Sequence, residues 1–240
     1  TNIFNSKMFK LNIDDVEYGF PERLTIDQWT QILKKDLSQT STWIGVLSKL
    51  MGVHPKDLTT MSDSQLQMCM GIIFSKLEER KTAAWRDPSS LSFGEWVDLD
   101  VWINKGIGVH AKDILKILQL HKGELMADEA SYIIESFITW RTWIYKQYSE
   151  LFGLDLDEDD NIISQDDISV DGPIDPDEVI NGWYSIIIGL AGDDLLRIDK
   201  VTDQPVLATL NFMAYQKQKT IAENFNKLKQ QKQYELQRRR

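Results

Sequence analysis

The chain has 240 residues, with 27 Lys and Arg against 37 Asp and Glu, so its formal net charge is −10. Hydrophobic residues make up 42% of it, which is typical of a folded chain and excludes disorder over most of its length. The single cysteine, Cys69, excludes a disulfide framework and a multi-cysteine zinc site. The longest apolar run, Tyr184 to Ala191, is far shorter than the ~20 residues of a membrane-spanning helix. The first residues also lack a secretion-signal pattern, so we expect an intracellular protein without a membrane segment.

The first predicted elements are a hairpin and a helix. Residues 8–18 alternate apolar and polar side chains around two aspartates, which is typical of a short β-hairpin. Thr25 and Gln28 have the spacing of a capping box, in which each side chain accepts a hydrogen bond from the other residue's backbone N–H group. This spacing predicts a helix that begins after Thr25 and continues to about Leu37.

Further helices follow by the same signals. Ser62 and Gln65 form a second capping box, and Gly52 is placed to end the preceding helix in a left-handed conformation. Residues 82–98 contain one proline, one glycine and three serines, which predicts a linker or loop. Apolar periodicity then predicts helices at 111–120 and 126–152, because apolar side chains recur three or four residues apart.

An acidic segment interrupts the helical pattern. Residues 155–178 hold eleven acidic side chains and no basic one, which predicts a solvated loop. Its first half resembles an EF-hand loop, in which alternate oxygen ligands converge on one Ca²⁺ ion. The candidate calcium ligands are Asp155, Asp157, Asp159 and Asp166. However, Asp160 stands where the motif normally has glycine, so a calcium site is an alternative to a simple solvated loop.

The C-terminal segment is predicted to be one long basic helix from about Pro205 to Leu236. After Tyr215 it carries five Lys and three Arg against two Glu. Its apolar positions become sparse there, so burial against its own chain cannot stabilise the whole helix. We therefore expect this helix to bind another protein. The expected contact residues are Leu207, Leu210, Met213, Ile221, Lys217, Lys227, Lys229 and Arg238.

Motifs for catalysis are not recognisable. The sequence has no glycine-rich phosphate loop, no HExxH and no nucleophile–base pair at a familiar spacing, so we expect no enzyme and no cofactor apart from the alternative of Ca²⁺. Glu95, Asp98 and Asp100 lie beside tryptophans, which leaves a glycosidase-like carboxylate pair as an alternative. The basic tail leaves contact with nucleic-acid phosphates as another, although the negative charge of the whole chain opposes it.

Three segments of the chain resemble a known group of proteins. Residues 9–33, residues 91–102 (LSFGEWVDLDVW) and residues 183–220 are similar to segments of tail, baseplate and tail-assembly chaperone proteins of T-even-like and related contractile phages. In that group a basic helix likewise follows an apolar turn that begins with proline. The resemblance implies a non-enzymatic structural or assembly protein that contacts other tail or baseplate subunits. It also implies a location in the host cytoplasm or in the virion.

Together these patterns predict a mainly α fold. We expect a helical bundle with a small N-terminal β-hairpin and a long C-terminal helix. The expected domains are an N-terminal hairpin with helices at 1–81, a linker at 82–98, a central helical domain at 99–204 with the acidic loop at 155–178, and a basic helix at 205–240.

Overall fold

The structure, a computed structural model, describes residues 8–13, 15–120, 125–154 and 176–238, without the side chains of 8–9, 176–178 and 235–238. In these residues the fold is mainly α with one hairpin, which confirms the predicted fold class. The strands are β1 (Met8–Ile13) and β2 (Val16–Pro21). The helices are α1 (Ile26–Leu33), α2 (Thr40–Met51), α3 (Pro55–Leu58), α4 (Asp63–Glu78), α5 (Phe93–Lys105), α6 (Ile107–Leu118), α7 (Ala127–Gln147), α8 (Ser149–Phe152), α9 (Pro176–Ala191), α10 (Ile198–Thr202) and α11 (Val206–Arg238).

The N-terminal hairpin is antiparallel, with Ile13 opposite Val16 next to the turn. Asp15 closes the turn at φ 63°, a left-handed conformation that Asp and Asn adopt more readily than most residues. Tyr18 and Phe20, two residues apart on β2, are both buried. Because successive side chains of a strand point to opposite faces, residues two apart lie on the same face, and the alternating sequence gives β2 one buried face.

Both predicted capping boxes are present. Thr25 Oγ1 accepts a hydrogen bond from the Gln28 backbone N–H at 3.2 Å, and Gln28 Oε1 accepts one from the Thr25 N–H at 2.9 Å. Ser62 and Gln65 make the same reciprocal pair at the start of α4. Gly52, as predicted, ends α2 in a left-handed conformation at φ 66°. These positions fix where the first helices begin and end.

Helix α1 ends at Leu33, four residues before the predicted end at Leu37. Leu33 itself is exposed, so the buried face of the helix ends at Ile32. Asp36 Oδ1 then accepts a hydrogen bond from the Ser38 backbone N–H at 3.0 Å. This local turn competes with helical hydrogen bonding, which explains the early end.

The prediction of a loop over residues 82–98 is wrong for its last part, because α5 begins at Phe93. Ser92 and Glu95 form a reciprocal capping pair: the Ser92 N–H donates to Glu95 Oε2 at 2.9 Å and the Glu95 N–H donates to Ser92 Oγ at 3.2 Å. Ser92, one of the three serines on which the loop prediction depends, is therefore a helix N-cap. Phe93, Trp96 and Leu99 of this helix are fully buried.

The chain divides into two compact units, each formed by two separate stretches. Unit 1 takes residues 1–86 and 102–137, and unit 2 takes residues 87–101 and 138–240. The expected domains were contiguous in sequence and do not coincide with these units. Composition indicates where a chain changes character, but it does not show that later helices return to pack with an earlier stretch.

The core of unit 1 is built from the buried faces of the hairpin and the helices. Cys69 on α4 is fully buried, and burial raises the pKa of its thiol. Other side chains with at most 3% of their surface exposed in this core are Phe20, Leu24, Ile32, Leu47, Leu58, Leu66, Met70, Ile73, Ala111, Ile114, Leu115, Leu118, Ala130, Ile133, Ile134 and Phe137. These residues come from elements far apart in sequence, so the core closes only after both stretches of the unit meet.

Helices α1 and α6 of unit 1 approach closely at Gly108. A Cβ atom added there would lie 3.0 Å from Leu33 Cβ and 3.3 Å from the Lys34 backbone nitrogen. We therefore expect Gly108→Ala to lower the free energy of unfolding by about 1–2 kcal/mol through overpacking. Gly71 in α4 is the matched control, because its added Cβ would meet nothing within 4 Å.

Replacing Gly71 with alanine should raise stability by about 0.5–1 kcal/mol, since alanine loses less conformational entropy in a helix. Urea unfolding of both variants checks the pair. A stabilising Gly108→Ala variant would contradict the close approach of the two helices.

Unit 2 has an aromatic core. Trp96 packs edge-on against Trp140 with ring centroids 5.4 Å apart, and Phe93 packs in the same way against Trp183 at 5.7 Å. Such edge-to-face pairs add to the stabilisation from burial. In the part of the chain that the structure describes, no helix combines the length and apolarity needed to cross a bilayer.

Candidate interaction surface

Helix α11 begins inside unit 2. The Val206 backbone N–H donates to the Leu91 carbonyl at 3.0 Å, and Val206 and Leu210 are fully buried. Met213, one turn further along the helix, retains only 9% of its surface in solvent. The first two turns of α11 are therefore held by the core of the unit.

Two polar contacts continue this attachment along the helix. The Tyr148 hydroxyl contacts Asn211 Oδ1 at 2.9 Å, and Lys217 Nζ donates to the carbonyl of Glu150. Both partners on the other side belong to the turn and short helix that follow α7. These contacts join α8 to α11. Lys217 is the last residue of α11 for which the structure describes a hydrogen bond to another element of unit 2.

From Tyr215 to Tyr234 the helix is exposed to solvent, although Lys217 keeps its contact with Glu150. Every residue from 215 to 234, which we call the arm, is exposed in the structure. The arm carries five large apolar or aromatic side chains, each more than half exposed: Tyr215, Ile221, Phe225, Leu228 and Tyr234. Exposed side chains of this size, on one element, are typical of a surface that binds another molecule.

Three of these side chains are aligned. Ile221, Phe225 and Leu228 are spaced four and three residues apart, so on a helix of 3.6 residues per turn they fall within an arc of about 60°. We call these three residues the arm stripe. Ala214 and the buried Leu210 fall within the same arc of the helix. The apolar face that packs in unit 2 therefore continues along the arm.

The arm is also positively charged. It contains five lysines and one glutamate, Glu223, for a net charge of +4. Lys217 and Lys229 lie on either side of the arm stripe, whereas Glu223 lies on the opposite face of the helix. The apolar stripe is therefore bordered by positive charge and by neutral polar side chains.

The structure separates the contact residues expected from the sequence into two groups. Leu210 and Met213 are buried and Leu207 is half-buried, so they stabilise unit 2 and are not free to bind a partner. The exposed group is Ile221, Lys217, Lys227 and Lys229, and the side chain of Arg238 lies outside the described residues. The expected set omitted Phe225 and Leu228, which their spacing from Ile221 could have identified.

The candidate calcium ligands lie outside the described residues. These are Asp155, Asp157, Asp159 and Asp166, and the calcium alternative stays a prediction. In the described part of the chain, no three His, Cys, Asp or Glu side chains are grouped so that they could hold a metal ion.

The carboxylates considered for glycosidase chemistry have separate environments. Asp100 is fully buried, and its carboxylate accepts hydrogen bonds from Arg141 Nε at 2.6 Å, the Tyr145 hydroxyl at 2.8 Å and Trp183 Nε1 at 2.8 Å. We call these four residues the Asp100 cluster. Because its carboxylate already has three donors in the core, Asp100 is placed to join α5, α7 and α9 within unit 2.

The electrostatics of the Asp100 cluster keep its two other ionisable groups in their usual charge states. Burial raises the pKa of the Tyr145 hydroxyl well above its ordinary value, and the Asp100 carboxylate raises it further, so Tyr145 stays a neutral donor. Burial alone would lower the pKa of Arg141, but the Asp100 carboxylate outweighs it and the net pKa is raised. Arg141 therefore remains a cation beside a buried anion.

The two remaining carboxylates line an open depression in unit 2. It has a volume of about 340 Å³ and is bordered by Ser92, Gly94, Glu95, Val97, Asp98, Ile187, Thr202 and Asp203. Partial burial and the nearby Glu95 raise the pKa of Asp98. Glu95 itself caps α5, so its described hydrogen bonds serve the helix start.

Comparisons of the chain with protein-family models, with curated protein sequences and with solved structures find no match. The functional interpretation therefore depends on the surfaces and clusters of the two units. Among these, the arm combines exposure, aligned apolar side chains and a single sign of flanking charge.

Proposed function

We propose that this protein is a non-enzymatic structural or assembly factor that acts by binding another protein through the arm. The observation that carries this proposal is the exposure of every residue from 215 to 234 on one continuous helix. Most helices in proteins are stabilised by burying an apolar face. The arm has such a face in the arm stripe, and a partner supplies the surface that covers it.

The likeness of residues 9–33, 91–102 and 183–220 to contractile-tail proteins supports a setting for this activity. In that setting the protein binds another tail or baseplate subunit, either during assembly in the host cytoplasm or within the virion. Residues 183–220 include the attached part of α11, so the likeness covers the base of the arm. Assembly requires contact between subunits, which fits a helix that extends beyond the body of its own unit.

A protein partner fits the arm better than nucleic acid does. The arm stripe places Ile221, Phe225 and Leu228 beside the flanking lysines, and a phosphate backbone would leave these three side chains in water. Protein interfaces, in contrast, have apolar centres and polar rims.

The proposal predicts that deleting the arm separates binding from folding. We expect a chain that ends at Tyr215 to lose association with its tail or baseplate subunit in cells that assemble contractile tails. Its unfolding free energy should change by less than about 1 kcal/mol, because the buried anchors Val206, Leu210 and Met213 remain and only exposed contacts are lost. Affinity purification with quantitative mass spectrometry measures the association, and thermal unfolding measures the stability.

The control is Tyr184→Ala, which removes an exposed aromatic side chain from α9 of unit 2 while the arm stays intact. This variant should retain the full association. Undiminished association of the truncated chain would show that the arm is not the contact and would refute the proposed function.

A further inference from the structure

The arm stripe has the spacing of a coiled-coil seam. Ala214, Ile221 and Leu228 recur every seven residues, and Phe225 lies between the last two at the second seam position of the heptad. Lys232 occupies that second position one heptad further along. A seam of this width accommodates one facing helix, whereas a helix that packs on a globular surface normally shows a wider apolar face.

The residues that border a seam determine which partner a coiled coil accepts. In this register the bordering charged residues of the arm are Lys217, whose Nζ donates to the Glu150 carbonyl, and Lys229; both are exposed. Lys219 and Glu223 lie at outer positions, away from the seam. Among residues 215–234, every charge at or beside the seam is therefore positive, Lys232 included, and Glu235 follows at the next seam position.

This charge pattern opposes pairing with a second copy of the chain. In a parallel, in-register pair Lys232 would face Lys232 across the seam, and in either orientation two arms of net charge +4 would repel each other. Like charges at these positions destabilise a coiled coil. A facing helix with carboxylates at its borders would form ion pairs instead and would also neutralise Lys232.

We propose that the arm pairs with one acidic amphipathic helix of another protein, whose apolar side chains cover the arm stripe and whose Glu or Asp residues face Lys229 and Lys232. This inference rests on the proposed function and adds the chemistry of the partner. Burial of the stripe supplies the stabilisation, and the bordering charges supply the selection of the partner.

A pair of synthetic peptides tests the partner chemistry on the full-length protein. The first is about three heptads long, with leucine at both seam positions and glutamate at both border positions, and the second differs only in having lysine at the borders. We expect the acidic peptide to bind saturably with one peptide per chain in a calorimetric titration, and the basic peptide not to bind. Raising the sodium chloride concentration from about 50 to about 500 mM should lower the affinity for the acidic peptide by about tenfold, because salt screens exposed ion pairs.

Two pairs of matched variants locate the contact. Phe225→Gln removes an exposed aromatic from the stripe and should weaken binding by at least about tenfold, while Tyr234→Gln removes one from another face and should leave it unchanged. Lys229→Glu and Lys219→Glu change the net charge equally, but only Lys229→Glu should weaken binding, by about fivefold. These side chains are all exposed, so the variants leave the core of unit 2 intact.

Several results would overturn the inference. Equal binding of both peptides, or equal weakening by Lys229→Glu and Lys219→Glu, would show that the arm does not select a helix by its border charges. A dimer in analytical ultracentrifugation that Phe225→Gln dissolves would identify a second copy as the occupant. Tight binding of a DNA duplex or anionic lipid vesicles that depends on Phe225, with none to the acidic peptide, would identify another class of partner.

Failure of this inference can be distinguished from failure of the proposed function. If the chain truncated after Tyr215 loses its tail or baseplate subunit but the acidic peptide does not bind, the arm is the contact and only the partner chemistry is refuted. If the truncated chain keeps its association, the proposed function is refuted whatever the peptide does.

Discussion

Replacing Asp100 with alanine should lower the free energy of unfolding of unit 2 by about 3–5 kcal/mol, because it leaves a buried cation without its counter-charge. Arg141 has only 13% of its side chain exposed, and the Asp100 carboxylate is fully buried. The same substitution removes the acceptor of Tyr145 and Trp183. Urea unfolding followed by tryptophan fluorescence measures the loss.

Two further variants separate charge from packing in the Asp100 cluster. Asp100→Asn keeps the shape and an acceptor oxygen but not the charge. It should therefore lower the free energy of unfolding by less than the alanine variant does, and still by more than about 1 kcal/mol. Asp98→Asn, two residues away on α5, where Asp98 is exposed to solvent at the edge of the depression, should change stability by less than about 0.5 kcal/mol. If Asp100→Ala proved as mild as Asp98→Asn, Arg141 would have to reach water in the folded unit.

Replacing Asp128 with asparagine should lower the stability of unit 1 by about 2–3 kcal/mol near neutral pH. The Asp128 side chain is 5% exposed and accepts two hydrogen bonds from Arg23, at Nε and Nη2, with Lys81 also nearby. Burial acts to raise the pKa of Asp128, but the hydrogen bonds and charge of Arg23 outweigh burial, so the pKa lies below its ordinary value. Hydrogen bonds to ionised partners of this kind are among the stronger ones in proteins.

The direction of this pKa shift fixes the pH dependence. A carboxyl whose pKa is lower in the folded than in the unfolded state stabilises the fold above the unfolded value of about 3.9, and this contribution disappears as pH falls through the lower folded value. The parent protein should therefore lose stability below about pH 4 more steeply than Asp128→Asn does.

Asp27→Asn is the control for this prediction. It removes an exposed ion pair with Lys112 in the same unit and should cost less than about 1 kcal/mol. Acid unfolding curves of the three proteins check both points, and parallel curves for the parent protein and Asp128→Asn would contradict the argument.

The start positions of the first helices could be predicted because capping boxes are local. The capping hydrogen bonds join residues only three apart, Thr25 with Gln28 and Ser62 with Gln65, so they determine where each helix begins without contacts from distant residues. Helix α5 was missed because its own cap at Ser92 lies among residues that usually break helices. The division into two units has no local signal at all, since it depends on which helices return to pack together.

The exposure of the arm could also be predicted from the sequence, because the residues after Tyr215 include too few apolar side chains to form a buried face along the whole helix. The burial of Leu210 was not predictable, because spacing on one helix does not reveal which of its apolar residues meet the rest of the unit. The Asp100 cluster is the extreme case. Its donors come from 41, 45 and 83 residues away, and no spacing in the sequence connects them.

All eight tryptophans precede α11, and this placement has a consequence for how the chain responds to heat. Indole emission reports on the two units and does not sense residues 215–234, whereas far-ultraviolet ellipticity counts every helical peptide group, those of the arm included. An exposed helix without a covering surface converts to coil gradually as temperature rises. Ellipticity therefore declines at lower temperatures than emission does. A bound helix that covers Ile221, Phe225 and Leu228 makes the two melting curves coincide.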